Sequence, residues 1–264
     1  MIKRLLIANR GEIAVRIART CKKMGIETVS IYSDVDKNSM HVRETDHSAH
    51  IGASISEKSY LNIKKIINVA KDFKVDAIHP GYGFLSENPS FSKMVKKNNI
   101  IFIGPSESSM KSMAYKNEAR KLMEDAGVSV LPGFPVENMS NNKIVNKCND
   151  IGYPLIIKAS AGGGGKGMHV IRAADEIIQK LEQAKREALS SFGDDKVLIE
   201  KYLESPRHIE VQIVADNFGN IQALSDRDCS IQRRHQKVVE EAPAPFIKQN
   251  IKDNMAKQAI EVAK

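Results

Sequence analysis

The chain has 264 residues, 42% of them hydrophobic, enough for one large domain or two medium ones with real cores. Its formal net charge is +8, but with 5% aromatics and no Trp the Lys and Arg are not interleaved with a stacking series. The surplus is therefore read as solvated surface plus sites for anionic ligands, not as a nucleic-acid face. No run approaches the roughly 18 apolar residues of a membrane span, and Cys21, Cys148 and Cys229 are odd in number and far apart. Such thiols fit neither a disulfide framework nor a zinc site and point to a reducing compartment, taken as cytoplasmic.

Leu5-Leu6-Ile7-Ala8 reads as a first strand, since Asn9-Arg10-Gly11-Glu12 breaks the apolar run too early for a signal peptide. Ile13, Ile17, Cys21 and Met24 then fall at helical spacing, and Gly25 precedes a second strand, Thr28 to Tyr32. This βαβ unit implies parallel strands and a right-handed crossover. The pattern repeats with a helix from Ile63 to Phe73, a strand from Asp76 to His79, a helix from Phe91 to Lys97 and a strand from Ile100 to Ile103. A doubly wound parallel α/β domain is expected over residues 1–112, and a second domain over 113–264. The second opens with a helix from Ala114 to Ala126. A strand (Tyr153 to Ser160), a glycine loop (Ala161 to Gly167), a strand (Met168 to Arg172) and a charged helix (Asp175 to Leu189) follow. Lys196 to Leu203, His208 to Ala215 and Ile221 to Asp226 are further strands, with Asp216 to Asn220 as a hairpin turn. A helical pattern from Lys252 to Lys264 shows no stop signal.

Four successive glycines, Gly162 to Gly165, are costly to order and useful where backbone amides must approach a ligand, usually a phosphate. The P-loop pattern is not met, because Gly167 follows Lys166 and a strand follows the loop. Gly163, Gly164, Gly165, Lys166 and Gly167 read instead as a glycine-rich hairpin folding over a triphosphate, with a surface hairpin as the alternative. Lys158, at the end of an apolar strand, can reach a phosphate as a point charge. The connector after Leu198 to Leu203 can offer backbone groups to an adenine edge. Alternation puts His208, Glu210 and Gln212 on one face of a strand. The segment from Asp226 to Lys237 concentrates Arg, His, Gln and Lys and runs into Glu240-Glu241, which suits an anion pocket balanced by carboxylates.

These motifs resemble those of the biotin carboxylases. The resemblance is carried by His79-Pro80-Gly81-Tyr82-Gly83-Phe84-Leu85-Ser86-Glu87-Asn88, by Ala161 to Met168, and by Gln232 to Pro243, and it runs the length of the chain. It implies an ATP-grasp domain behind the N-terminal α/β domain. It also implies a ligase that uses ATP with Mg²⁺ (or Mn²⁺), bicarbonate as substrate, and biotin on a carrier domain. Carried over by motif, Lys116 and Lys158 would hold ATP phosphates, Gly163 to Gly167 would cover them, and Glu200, Lys201 and Leu203 would meet the adenine edge. His208, Gln232 and His235 would lie on the ribose and phosphate side, and Lys237 with Gln236 would form the bicarbonate and γ-phosphate corner. Glu210 joins that corner as a candidate catalytic carboxylate but not as a metal ligand, and Tyr82 and Gly83 would face biotin.

The sequence departs from the family pattern at Ala114-Tyr115-Lys116-Asn117, where a glycine and an aspartate or serine would flank the lysine. The family's two metal-binding glutamates find no match, so no metal ligand is expected within the chain. The ATP-grasp domain is expected to be incomplete at its C-terminus, and the 264-residue chain alone to be inactive. Ser191-Phe192-Gly193-Asp194-Asp195 leans toward the methylcrotonyl- and propionyl-type subunits of acyl-CoA carboxylases, with a pyruvate carboxylase as the alternative. Expected partners are a biotin carrier domain, a carboxyltransferase subunit and further copies of the whole protein. A nucleotide-binding or subunit-pairing module without catalysis is the competing reading.

Overall fold

The computed structural model describes residues 1–161, 167–233 and 236–264. It divides into two compact units, Met1–Lys111 and Ser112–Lys264, each described by itself.

The first unit is built on β1 (Arg4–Ile7), α1 (Gly11–Lys23), β2 (Glu27–Ser33), α2 (Met40–Glu44) and β3 (His47–Gly52). α3 (Ile63–Asp72), β4 (Ala77–His79), α4 (Pro89–Lys97) and β5 (Ile101–Phe102) complete it. The strands form a parallel sheet in the order β3-β2-β1-β4-β5. Side chains of a strand alternate between faces, and both faces of β1 are covered. Leu6 packs with Val29, Ile31 and Ile78 against Ile66 of α3 and Phe91 of α4. Its neighbours Leu5 and Ile7 pack with Ala77 against Ala14, Ile17 and Cys21 of α1. α3 and α4 start where Asn62 and Asn88 accept hydrogen bonds from the backbone N–H of Lys65 and Phe91. The doubly wound layout expected from the alternating pattern is the one found. Because the order reverses between β1 and β4, the loops after these strands meet at the carboxyl edge, where such sheets leave a crevice.

α5 (Glu107–Ala114) leads into the second unit, which continues with α6 (Lys116–Asp125), β6 (Gly133–Pro135) and α7 (Asn141–Ile151). Then come β7 (Leu155–Ala159), β8 (His169–Ile171), α8 (Ile177–Phe192) and β9 (Val197–Lys201). The helix expected from Ala114 to Ala126 is α6, which starts at Lys116 because Tyr115 is extended (φ −107°, ψ 123°), while α5 before it was not expected. An antiparallel sheet runs β6-β9-β7-β8. Leu155 and Ile157 of β7 and Ile199 of β9 pack on Ile144 and Cys148 of α7 and on Ile177, Leu181 and Ala184 of α8. Gly193, in the left-handed region at φ +72°, ends α8.

β10 (Ile209–Ala215), β11 (Ile221–Arg233) and β12 (Gln236–Glu241) form a second antiparallel sheet, followed by α9 (Gln249–Ala263). The turn between β10 and β11 is fixed by Asp216, whose carboxylate accepts from the backbone N–H of Phe218 and Asn220. No helix among the described residues is long and apolar enough to cross a membrane.

Candidate functional site

In the first unit, Tyr82 and Gly83 lie on the loop after β4, held by the loop after β1. The buried Asn9 amide donates to the carbonyls of Pro80 (2.7 Å) and Tyr82 (2.8 Å). Gly81 sits at φ +68°, and a Cβ there would come 2.7 Å from Asn9 Nδ2, so a side chain is excluded twice over. The Tyr82 hydroxyl donates to Glu12, and the Tyr82 ring is exposed. Arg10 reaches Asp36 (3.2 Å) and lies over the stacked rings of Tyr60 and Phe84, at 5.2 and 5.5 Å from their centroids. Burial lowers the pKa of His79, whose Nδ1 accepts from the Gly81 N–H at 3.0 Å. The loop carrying Tyr82 is therefore pinned from behind with its ring turned outward.

In the second unit, two clusters gather most of the expected residues. The first lies at the ends of β7 and β9. Lys158 Nζ donates to Glu200 at 2.8 Å, and the other carboxylate oxygen of Glu200 accepts from Arg120 at 3.1 Å. Lys116, the first residue of α6, donates through its backbone N–H to Ser160 O (3.2 Å) and through Nζ to Ala159 O (3.1 Å). Its pKa is pushed down, first by burial and then by the charge of Lys158, with Glu200 opposing. A cleft of about 310 Å³ lies nearby, lined by Tyr115, Asn117, Ser160 and Lys196 together with the carboxylates of Glu118, Glu137 and Asp194, and not by Lys116, Lys158 or Glu200. Its volume is at the lower end for small-molecule pockets. Lys201 turns its ammonium onto the carbonyls of Gly152 (3.0 Å) and Tyr153 (2.8 Å), and Leu203 is exposed past the strand end. Gly167 is described, at φ +69°, whereas Gly163, Gly164, Gly165 and Lys166 lie outside the described residues.

The second cluster is on the three-stranded sheet. Glu210 of β10 takes the Lys237 ammonium on one oxygen and the Arg227 guanidinium on the other, the latter at 2.5 to 2.6 Å. Burial alone would raise the pKa of Glu210, but these two donors outweigh it and hold the carboxyl below its usual range. The hydrogen bond to Glu210 raises Lys237 in turn. Glu210 and Gln212 share a face, as expected, because both meet Arg227. His208 does not share their strand, which starts at Ile209. Its Nδ1 instead lies 2.7 Å from Gln232 Nε2, and its backbone N–H donates to Ser230 Oγ at 2.8 Å. The segment expected to form an anion pocket is two strands, β11 and β12, with Gln236 opposite Arg233. His235 lies outside the described residues.

Around this sheet, hydrogen bonds from Ser230 and Arg207 bring Asp228 down to about 2. Asp226 is raised by burial but lowered further by Lys252 and the Ala244 N–H.

Glu210, Glu240 and Cys229 bring two carboxylate oxygens and a thiol within 4.8 Å of one another. Magnesium takes oxygen ligands in a near-octahedral shell. Here one donor is sulfur, and the Lys237 ammonium already sits on Glu210 and 3.4 Å from Glu240. These residues do not fit a resident magnesium ion.

Residues 1–110 match the family model described as biotin carboxylase, N-terminal domain. Residues 115–264 match that of the carbamoyl-phosphate synthase L chain, ATP binding domain. The chain belongs to the biotin carboxylase family. It is 49% identical over its whole length to biotin carboxylase 1 of Bacillus subtilis, of which it covers 59%. It is also 49% identical to the α subunit of mouse mitochondrial methylcrotonoyl-CoA carboxylase, of which it covers 37%. A crystal structure of a biotin carboxylase–β,γ-ATP complex from Campylobacter jejuni superposes with a TM-score of 0.92 at 44% identity, over 100% of this chain and 59% of that one. The second unit thus has the ATP-grasp type of layout that follows the α/β domain in biotin carboxylases. The chain spans between 37% and 59% of the length of these relatives.

Arg120 is the site-shaping residue that no motif pointed to, whereas Arg227 lies within the cationic segment from Asp226 to Lys237, and Asn9 and Glu12 follow the first strand. The local pair of Arg120 with Glu124 is an ordinary i,i+4 helix pattern, and its partner at the site, Glu200, is 80 positions away. Asn9 carried a weak signal, a polar residue directly after the first apolar strand.

Proposed function

We propose that this chain is the ATP-binding part of a biotin carboxylase that serves an acyl-CoA carboxylase. Its substrates are MgATP, bicarbonate and biotin on a carrier domain. The observation that carries the reading is the pair Lys116 and Lys158, from different elements, beside the end of β7 where the glycine-rich segment begins. Two ammonium groups there suit a polyphosphate.

The second cluster supplies the chemistry of an anion corner. Bicarbonate attacks the γ-phosphorus, and the bond from that phosphorus to the ADP oxygen breaks. The resulting carboxyphosphate releases phosphate and carbon dioxide. The released phosphate takes the proton from a biotin ring nitrogen, and that nitrogen then forms its bond to the carbon dioxide. Lys237, with Gln236 beside it, is placed to steady the negative charge that develops in the first step, while Glu210 and Arg227 fix the direction of its ammonium. Glu200, Lys201 and Leu203 meet the adenine side, His208, Gln232 and His235 the ribose and phosphate side, and Gly163 to Gly167 with Lys166 cover the phosphates. Tyr82 and Gly83, on the pinned loop of the first unit, receive biotin. Partners of the whole protein are the carrier domain, a carboxyltransferase subunit and further copies of itself.

The test is ADP release by the whole protein carrying this chain. Release that requires both bicarbonate and biotin supports the reading. ATP cleavage indifferent to both would refute it.

A further inference from the structure

Arg120 lies one helical turn after Lys116 on the same face of α6 and is nearly buried, with its side chain 10% exposed. Both terminal nitrogens of its guanidinium are engaged: Nη1 donates to Glu200 (3.1 Å), and Nη2 to the Leu131 carbonyl (2.6 Å) and Glu124 (2.9 Å). We propose that Arg120 is a positioning residue that keeps Lys158 available to nucleotide phosphates by sharing the carboxylate of Glu200. This deepens the reading of the second unit as an ATP site and rests on it.

Two features of the geometry lead here. The first is charge. Glu200 is largely buried and offers one oxygen to Arg120 and the other to Lys158. With Lys116 counted, three cations, Lys116, Arg120 and Lys158, face two carboxylates, Glu200 and Glu124, which leaves this group a net positive charge. With Arg120 removed, both oxygens turn to Lys158, the ion pair closes, and less positive charge is offered to a ligand. In a partly buried setting such interactions are weakly screened. Lys116 beside them has its pKa lowered mainly by burial, with the Lys158 charge adding to this and Glu200 opposing it.

The second feature is mechanical. α6 is tied at Lys116 to the end of β7 through Ser160 O and Ala159 O. One turn later Arg120 ties it to β9 at Glu200 and to the chain entering β6 at Leu131. Only a planar fork of donors spans both targets at once, which a lysine ammonium cannot do. Arg120 therefore sets the spacing between the two phosphate-facing lysines without itself touching the nucleotide.

The two roles predict a loss graded by ligand charge, which a general packing defect would not produce. Calorimetric titrations of ATP, ADP, AMP and adenosine into the chain test this, with Arg120→Met and Arg120→Lys as variants. Arg120→Met should raise the Kd for ATP about tenfold, the scale of one lost charge-assisted hydrogen bond. ADP should lose less, and AMP and adenosine should stay within about twofold. Arg120→Lys should recover part of the loss. Adding Glu200→Gln to Arg120→Met should bring back most of the ratio of ATP to adenosine affinity, because no carboxylate is left there to neutralise Lys158, and the ratio cancels any change at the adenine side. If the Met variant does not fold, the Lys variant carries the same graded expectation. Equal losses for all four ligands, no loss for ATP, or no recovery of the ATP-to-adenosine ratio in the double variant would overturn the inference. Absence of any nucleotide binding by the unsubstituted chain would instead remove the ATP site on which it rests.

Discussion

The two sheets of the second unit are held together on different terms. In β6-β9-β7-β8, Leu155, Ile157, Val197 and Ile199 are essentially inaccessible and pack against two helices. In β10-β11-β12, every residue of β12 is exposed, and α9 has no buried residue. What orders the three-stranded sheet is polar: Arg227 and Lys237 on Glu210, Arg207 on Asp228, and Lys252 on Asp226. The first sheet is a rigid platform on which charged groups are displayed. In the second, the charged groups proposed for chemistry are also those that define the local structure. Substitutions should therefore separate stability from activity in the first sheet and mix them in the second.

The largest effect is expected from the apolar platform. Ile157→Ala should destabilise the second unit by about 2–5 kcal/mol in denaturant unfolding, because Ile157 is fully buried and the cavity cannot collapse against two helices. A change under about 1 kcal/mol would show that this core is not what holds the sheet. Lys237→Gln comes next. In the whole protein it should cut bicarbonate-dependent ATP cleavage by about 10²-fold, the scale of one electrostatic stabiliser. Because Glu210 then loses a partner, amide exchange in β10 and β12 should quicken in the same variant, whereas β7 and β9 should not change.

Acid should discriminate the sheets more gently. Glu210, Asp226, Asp228 and Asp216 all titrate below their ordinary values of 4.5 and 3.8 in the folded chain. The unfolded chain therefore takes up protons first as pH falls. Their contribution is complete above those ordinary values and is lost on the way down to about 2, the value for Asp228. Hydrogen exchange should accordingly show β10-β11-β12 opening in this window while β7 and β9 stay protected. Simultaneous opening of both sheets would contradict the contrast. The smallest effect is expected from Val238→Ala, a substitution at an exposed strand position, which should shift stability by less than about 0.5 kcal/mol.

The same contrast explains what could be read in the sequence. The parallel sheet and the platform were legible because buried strands are continuous apolar runs, such as Leu5-Leu6-Ile7 and Leu155-Ile156-Ile157, and α1 carries its stripe at helical spacing. β3, His47-Ser48-Ala49-His50-Ile51-Gly52, was missed because it is an edge strand with mostly polar, partly exposed residues. α7 was missed because Asn141-Asn142-Lys143 and Asn146-Lys147 dilute its apolar stripe, although Ser140 and Gly152 mark its two ends. The strand expected from Ile221 to Asp226 continues to Arg233, and β12 escapes the pattern, because the residues beyond Asp226 show no consistently apolar face.

At the site, Lys158 and the glycine segment stood out on chemistry alone, and Lys116 and Lys237 through family motifs. Arg120 stayed invisible because its role exists only once Glu200 is folded against it.

The most direct test of the account is calorimetric titration of ATP into the chain and into its Lys158→Gln variant. The account predicts ATP binding by the chain and at least about a tenfold weaker Kd in the variant, with an unchanged thermal unfolding midpoint, since Lys158 reaches off the apolar platform and is not part of its core. Equal affinity in the two proteins would contradict it.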